Sequence, residues 1–160
     1  MSSVSLLPPS IDNNYRGPRI AVIVFWLLAA VTLVRSVIHI VAPDGGAASI
    51  ATIPLASFSP AAADAVIHIF ALWGLSQLII GVFYVVALLR YRTLIPMLYL
   101  FALFEYVVRL TLTWIKPMET ESTAPGAIGN YVLIPILLVM FLVSLASRPR
   151  KAKDFNRSGS

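Results

Sequence analysis

The chain has 160 residues, 59% hydrophobic and only 12% charged, with no cysteine and a formal net charge of +5. A soluble domain carries about 25% charged residues, so the deficit is that of a membrane protein, and the lack of cysteine excludes disulfides, thiolate metal sites and cysteine nucleophiles. The basic residues sit in short segments flanking apolar runs, which is the distribution of topology signals and not of a nucleic-acid face; no Gly-rich phosphate loop, paired-His metal motif or internal repeat accompanies them.

Residues 1–19 are polar and proline-punctuated and read as a flexible cytoplasmic tail ending in Arg16 and Arg19. The run 20–42 is apolar apart from Arg35, Ser36 and His39. A signal-peptide core spans about 7–15 residues and ends in a small-residue cleavage site. This run is longer and ends in Ala42-Pro43-Asp44-Gly45-Gly46, so it is expected to stay as a first transmembrane helix. The segment 43–61 has no Lys or Arg and is expected to be an external loop. It combines the turn signal Asp44-Gly45-Gly46 with scattered Ile50, Ile53, Leu55 and Phe58. It is either a cap over the bundle mouth, with a short interfacial helix, or a surface loop dipping apolar residues into headgroups.

A second helix is predicted over 62–89. Gly74, Gln77, Gly81 and Tyr84 recur on one face, where small residues permit close helix approach and an amide can hydrogen-bond across the contact. After the basic turn Arg90-Tyr91-Arg92, a third helix is expected over 94–115, with Pro96 tolerated in its first turn. Met118 to Gly126 reads as a loop, and 128–146 as a fourth helix kinked at Pro135. Residues 148–160 form a basic cytoplasmic tail. The basic residues of the two tails and of the turn at Arg90–Arg92 fall on one side, which by the positive-inside rule is the cytoplasm. The expected fold is therefore an all-α, polytopic, antiparallel four-helix transmembrane bundle with both termini cytoplasmic, its domain running over 20–147.

Glu105 and Arg109 stand in the middle of the third run. Four residues apart, with the acid first, they share a helix face in the favourable order, and ionisable groups at membrane depth turn inward. At about 1.5 Å per residue, Arg35, His39, His68, Glu105 and Arg109 all fall in the external half of the bundle, whereas the internal half is almost purely apolar. They define a candidate polar pocket opening outward. Each has a plainer alternative. The arginines can snorkel to headgroups; Glu105 can form a purely structural ion pair with Arg109 or Arg35, or a protonated interhelical hydrogen bond; His39 can bond to loop or water; His68 can pair with Asp64. His68 and Gln77 lie about half a turn out of phase and should not face one cavity. Trp26, Trp73 and Trp114 read as packing residues or interfacial anchors.

Two arginines against one glutamate leave such a pocket about one unit positive, which suits a small anion, a lipid headgroup or a quinone carbonyl. The first reading is a binding or accessory membrane protein without cofactor or metal. One alternative is a membrane-embedded enzyme using Glu105 or a histidine as acid/base. Another is a haem b protein with His39 and His68 as axial ligands. Four short helices, a cytoplasmic N-terminus, Arg109 late in the third helix and Lys116-Pro117 after it resemble the small bacterial DoxX-like families of four-helix membrane proteins. That resemblance implies a bacterial inner-membrane location and, since some DoxX-like proteins are linked to quinone-dependent thiosulfate oxidation, keeps quinone among the ligands. Expected partners are the lipid bilayer and either further copies of the chain or a membrane partner subunit.

Overall fold

A computed structural model describes residues 4–147; the basic tail 148–160 lies outside the described residues. Four helices carry the fold: α1 (Arg19–Val41), α2 (Pro60–Arg90), α3 (Ile95–Ile115) and α4 (Pro125–Leu145), with single 3-10 turns at Leu55–Ser57 and Arg92–Leu94 and no strand among the described residues. All four are long and apolar enough to cross a membrane, where only helices and closed barrels satisfy every backbone polar group. Their chemistry is that of a multi-pass membrane protein. The fourth helix begins three residues earlier than its apolar run indicates. Pro125 and Gly126, expected in the preceding loop, form its first turn, because proline's fixed φ and missing N–H suit that position.

α1 packs most extensively on α2, and α3 on α4, while α2 and α3 approach each other only sparsely. The α1–α2 contact runs through the small residues: Gly74 lies against Ser36, His39 and Ile40, and Gly81 against Thr32 and Leu33. Further along, Phe25 of α1 sits edge-on to Tyr84 of α2 and Tyr99 of α3, with ring centres 5.0 and 4.9 Å away. The Tyr99 hydroxyl donates to the Ala21 carbonyl at 2.7 Å. Thr32 and Ser36, both buried, donate back to the Leu28 and Thr32 carbonyls, which satisfies hydroxyls inside an apolar contact.

Both ends of the bundle are tied. The expected flexible N-terminal tail is instead bonded to the helices. Asp12 N donates to Thr93 Oγ1 at 3.0 Å, Thr93 N to Asp12 O at 3.2 Å, and the Tyr15 hydroxyl to the Ser144 carbonyl at 2.7 Å. The reason is local: an Asx turn at Asp12, whose carboxylate accepts from Asn14 N at 2.8 Å, shapes the segment, and Tyr15 supplies apolar area against the core. At the opposite end, residues 43–51 wind into consecutive turns, followed by the 3-10 turn Leu55–Ser57. Ala47 and Ile53 are buried, and Thr52 Oγ1 donates to Ser122 O at 2.7 Å while Glu121 N donates to Thr52 O at 2.8 Å. The two longer loops thus hold each other, with apolar anchors pointing into the protein.

Candidate functional site

The loop reaches the helices through Gly45 and Gly46, whose φ values of 59° and 76° suit glycine. A Cβ on Gly46 would lie 3.0 Å from His39 Nδ1, and one on Gly45 would lie 3.0 Å from Phe70 Cβ. Asp44 sets this turn by accepting from the backbone N–H groups of Gly46, Ala48 and Ser49 at 2.9, 3.1 and 2.7 Å. Desolvation pushes the Asp44 carboxyl up, but the Ser49 and Gly46 N–H groups outweigh it and hold the group down from 3.8 to about 2.

His39 is 3% exposed, its Nδ1 lies 2.7 Å from the Gly45 carbonyl, and its ring packs on Phe70 and Trp73 at 5.7 and 4.7 Å. It therefore anchors the loop, which is the plainer of the two roles read for it. The indole of Trp73 then receives two cations: the guanidinium carbons of Arg35 and Arg109 lie 5.4 and 5.1 Å from its centre. Arg109 also lies 5.4 Å from the Tyr106 ring centre.

A hydrogen-bonded chain links three helices through these groups. Arg35 of α1 donates to Gln77 Oε1 of α2 at 3.3 Å; Gln77 Nε2 donates to Glu105 Oε1 of α3 at 3.1 Å; Arg109 donates to the same carboxylate oxygen. The ion pair closes on its own helix, at Arg109, and Arg35 reaches Glu105 only through the amide. Gln77, expected as a packing residue beside Gly74 and Gly81, is the bridge. Gln77 is only 6% exposed, so its polar atoms must be bonded, and the two ends of its amide do this by accepting from a cation and donating to a carboxylate.

Of the five residues read as a pocket, Arg35, Glu105 and Arg109 come together, His39 adjoins them through Trp73, and His68 does not join. His68 is exposed on α2, consistent with its half-turn offset from Gln77. The two histidines therefore do not face one site, which removes the geometric basis for axial haem ligation. No cluster of three or more metal-capable side chains exists among the described residues. Trp73 is the member that sequence reasoning assigned to packing. Its spacing of one turn from Gln77 was the available signal.

The polar chain forms one end of a cleft. Trp73, Gln77, Ile80, Phe83 and Tyr84 of α2 face Leu98, Phe101, Phe104, Glu105, Val108, Arg109 and Leu112 of α3 across a volume of about 810 Å³. From Leu98 to Leu112 the cleft runs about 21 Å along α3. Its charged and amide groups occupy the Gln77–Arg109 end; apart from the Tyr84 hydroxyl the remainder is aromatic and aliphatic. None of its lining comes from the loops.

No family model matches the chain, and no curated protein or solved structure matches it significantly. The site accordingly rests on its own chemistry.

Proposed function

We propose that the protein is a binding protein of a bacterial cytoplasmic membrane that holds a long apolar molecule by its polar head in the cleft between α2 and α3. The observation carrying this reading is the cleft itself. Its volume lies within the about 300–1,000 Å³ of small-molecule sites, which are mostly apolar with a few placed polar groups, and it is wide because α2 and α3 barely touch. Loading is lateral, from the bilayer between the two helices, in place of the outward opening read from sequence. The exposed rings of Phe83, Phe101 and Phe104 line that route. An antiparallel arrangement is supported by the order of contacts, in which rising positions on α2 meet falling positions on α1. The charge asymmetry supports cytoplasmic termini. Quinones and lipids both have the required shape.

Native mass spectrometry of the protein released from mild detergent tests this. The wild type should retain a discrete apolar adduct, and Val108→Phe, which fills the cleft beside its polar end, should lose it with the fold intact. Equal adducts on both proteins would place the molecule elsewhere and refute the reading.

A further inference from the structure

The charge around the polar end does not balance, and this narrows what the cleft binds. Glu105 is matched by Arg109 and further bonded by Gln77. Arg35 has no carboxylate within ion-pair distance among the described residues. The other acid on a described helix, Asp64, is exposed near the start of α2, about 20 Å along that helix from Gln77. The other polar side chains near the site include His39, Tyr84 and Tyr106, and none of these is a carboxylate. Arg35 is left with neutral contacts: the Gln77 carbonyl oxygen and the face of Trp73. Its Nε–H is buried and meets no acceptor. Arg35 as a whole is half-buried, and a cation inside a membrane-spanning segment is costly without a partner.

Resting on the cleft-binding reading, we infer that the bound molecule is an anionic amphiphile, an apolar chain ending in a carboxylate or phosphate oxyanion that supplies the missing counter-charge. The oxyanion seats at the Gln77–Arg109 end of the cleft. There Arg109, which lines it, offers the guanidinium N–H groups that Glu105 does not use, in the fork geometry suited to oxyanions. Arg35 stands behind Gln77 and Trp73 and does not line the cleft; it acts on the head through its charge. A quinone carbonyl would accept from Arg109 equally well but would leave the charge of Arg35 unmatched. The α2–α3 cleft therefore selects for charge as well as for chain.

Trp73 lines the cleft and serves as the reporter. The chain has three tryptophans, and Trp26 and Trp114 are exposed, so the Trp26→Phe/Trp114→Phe protein reports from Trp73 alone. In a neutral maltoside detergent at alkaline pH, three bromine-labelled quenchers of one chain length are titrated: the fatty acid, its methyl ester and the alkyl phosphate. At least one anion should quench saturably at a concentration about tenfold below the ester, equivalent to about 1.4 kcal/mol. Whether acid, phosphate or both do so assigns the source of the oxyanion. Arg35→Gln should abolish most of that preference while leaving the ester curve in place, and Arg35→Lys should retain it; if Arg35→Gln does not fold, Arg35→Lys and the wild-type comparison decide. An ester that binds as tightly as both anions overturns the anion inference and leaves the cleft reading standing. No saturable quenching by any of the three overturns both.

Discussion

Gly74 and Gly81 look equivalent in sequence, seven residues apart on one face of α2, yet replacing each by alanine should have different consequences. A Cβ at Gly74 would lie 2.8 Å from His39 Cβ, 3.0 Å from the Ser36 carbonyl oxygen and 3.1 Å from Ile40 Cγ1. Two of these atoms are fixed to the α1 backbone, so relief requires α1 and α2 to part. A Cβ at Gly81 would lie 2.7 Å from Leu33 Cδ2 and 3.0 Å from Leu33 Cγ, the far end of a half-buried side chain that can turn aside. Overpacking costs about 1–3 kcal/mol, while alanine in a helix interior gains about 1 kcal/mol over glycine. Gly74→Ala takes the upper end of that cost and should destabilise by about 2 kcal/mol; Gly81→Ala takes the lower end and should be near neutral. Equilibrium unfolding in mixed micelles, followed by near-UV circular dichroism, measures both. A Gly74→Ala protein as stable as wild type, or a Gly81→Ala protein less stable than it, would refute the packing argument.

Glu105→Gln should cost about 2 kcal/mol, between the 3–5 of a buried pair and the 0–1 of a surface pair, since the two side chains are 24% and 30% exposed. Adding Arg109→Gln should recover more of that loss than adding Arg35→Gln, a difference a double-mutant cycle reads directly; equal recovery would contradict the direct pairing. Asp44 titrates lower in the folded loop than in the unfolded chain, so its contribution is complete above pH 3.8 and is lost as pH falls towards about 2. The melting temperature of the wild type should drop through that window relative to Asp44→Asn, and parallel curves would discount the turn's role. Reporter fusions after Arg92 and Ser160 should read cytoplasmic and one within residues 47–57 external; an external C-terminus would sink the orientation.

Hydropathy and charge made the four helices legible, because a spanning segment must be apolar for about 20 residues and each run has few interruptions. The pair Glu105–Arg109 was legible for a similar reason: both residues lie on one helix, and the i, i+4 spacing alone brings them together. Arg35–Gln77–Glu105 was not, since its links cross from α1 to α2 and from α2 to α3, and helix rotation is set by tertiary packing, at Gly74 and Gly81 for the first of these contacts. Trp73 was hidden by its own versatility, being equally at home against lipid and against a guanidinium. The bonds of the N-terminal segment were not legible because its apolar area is small; they are one Asx turn and a few bonds from Asp12 and Tyr15 to Thr93 and Ser144, 81 and 129 positions away.

Those separations impose an order on biogenesis. The bonds of Asp12 need Thr93, which emerges from the ribosome with the turn before α3. The bond of Tyr15 needs the Ser144 carbonyl, near the end of α4, and cannot form until α4 has been made and seated. The segment around Asp12 and Tyr15 is thus made before α1 and fastened only after α4. Its closure against Ser144 requires α4 in place, so protection of the segment around Tyr15 from proteolysis marks an assembled bundle.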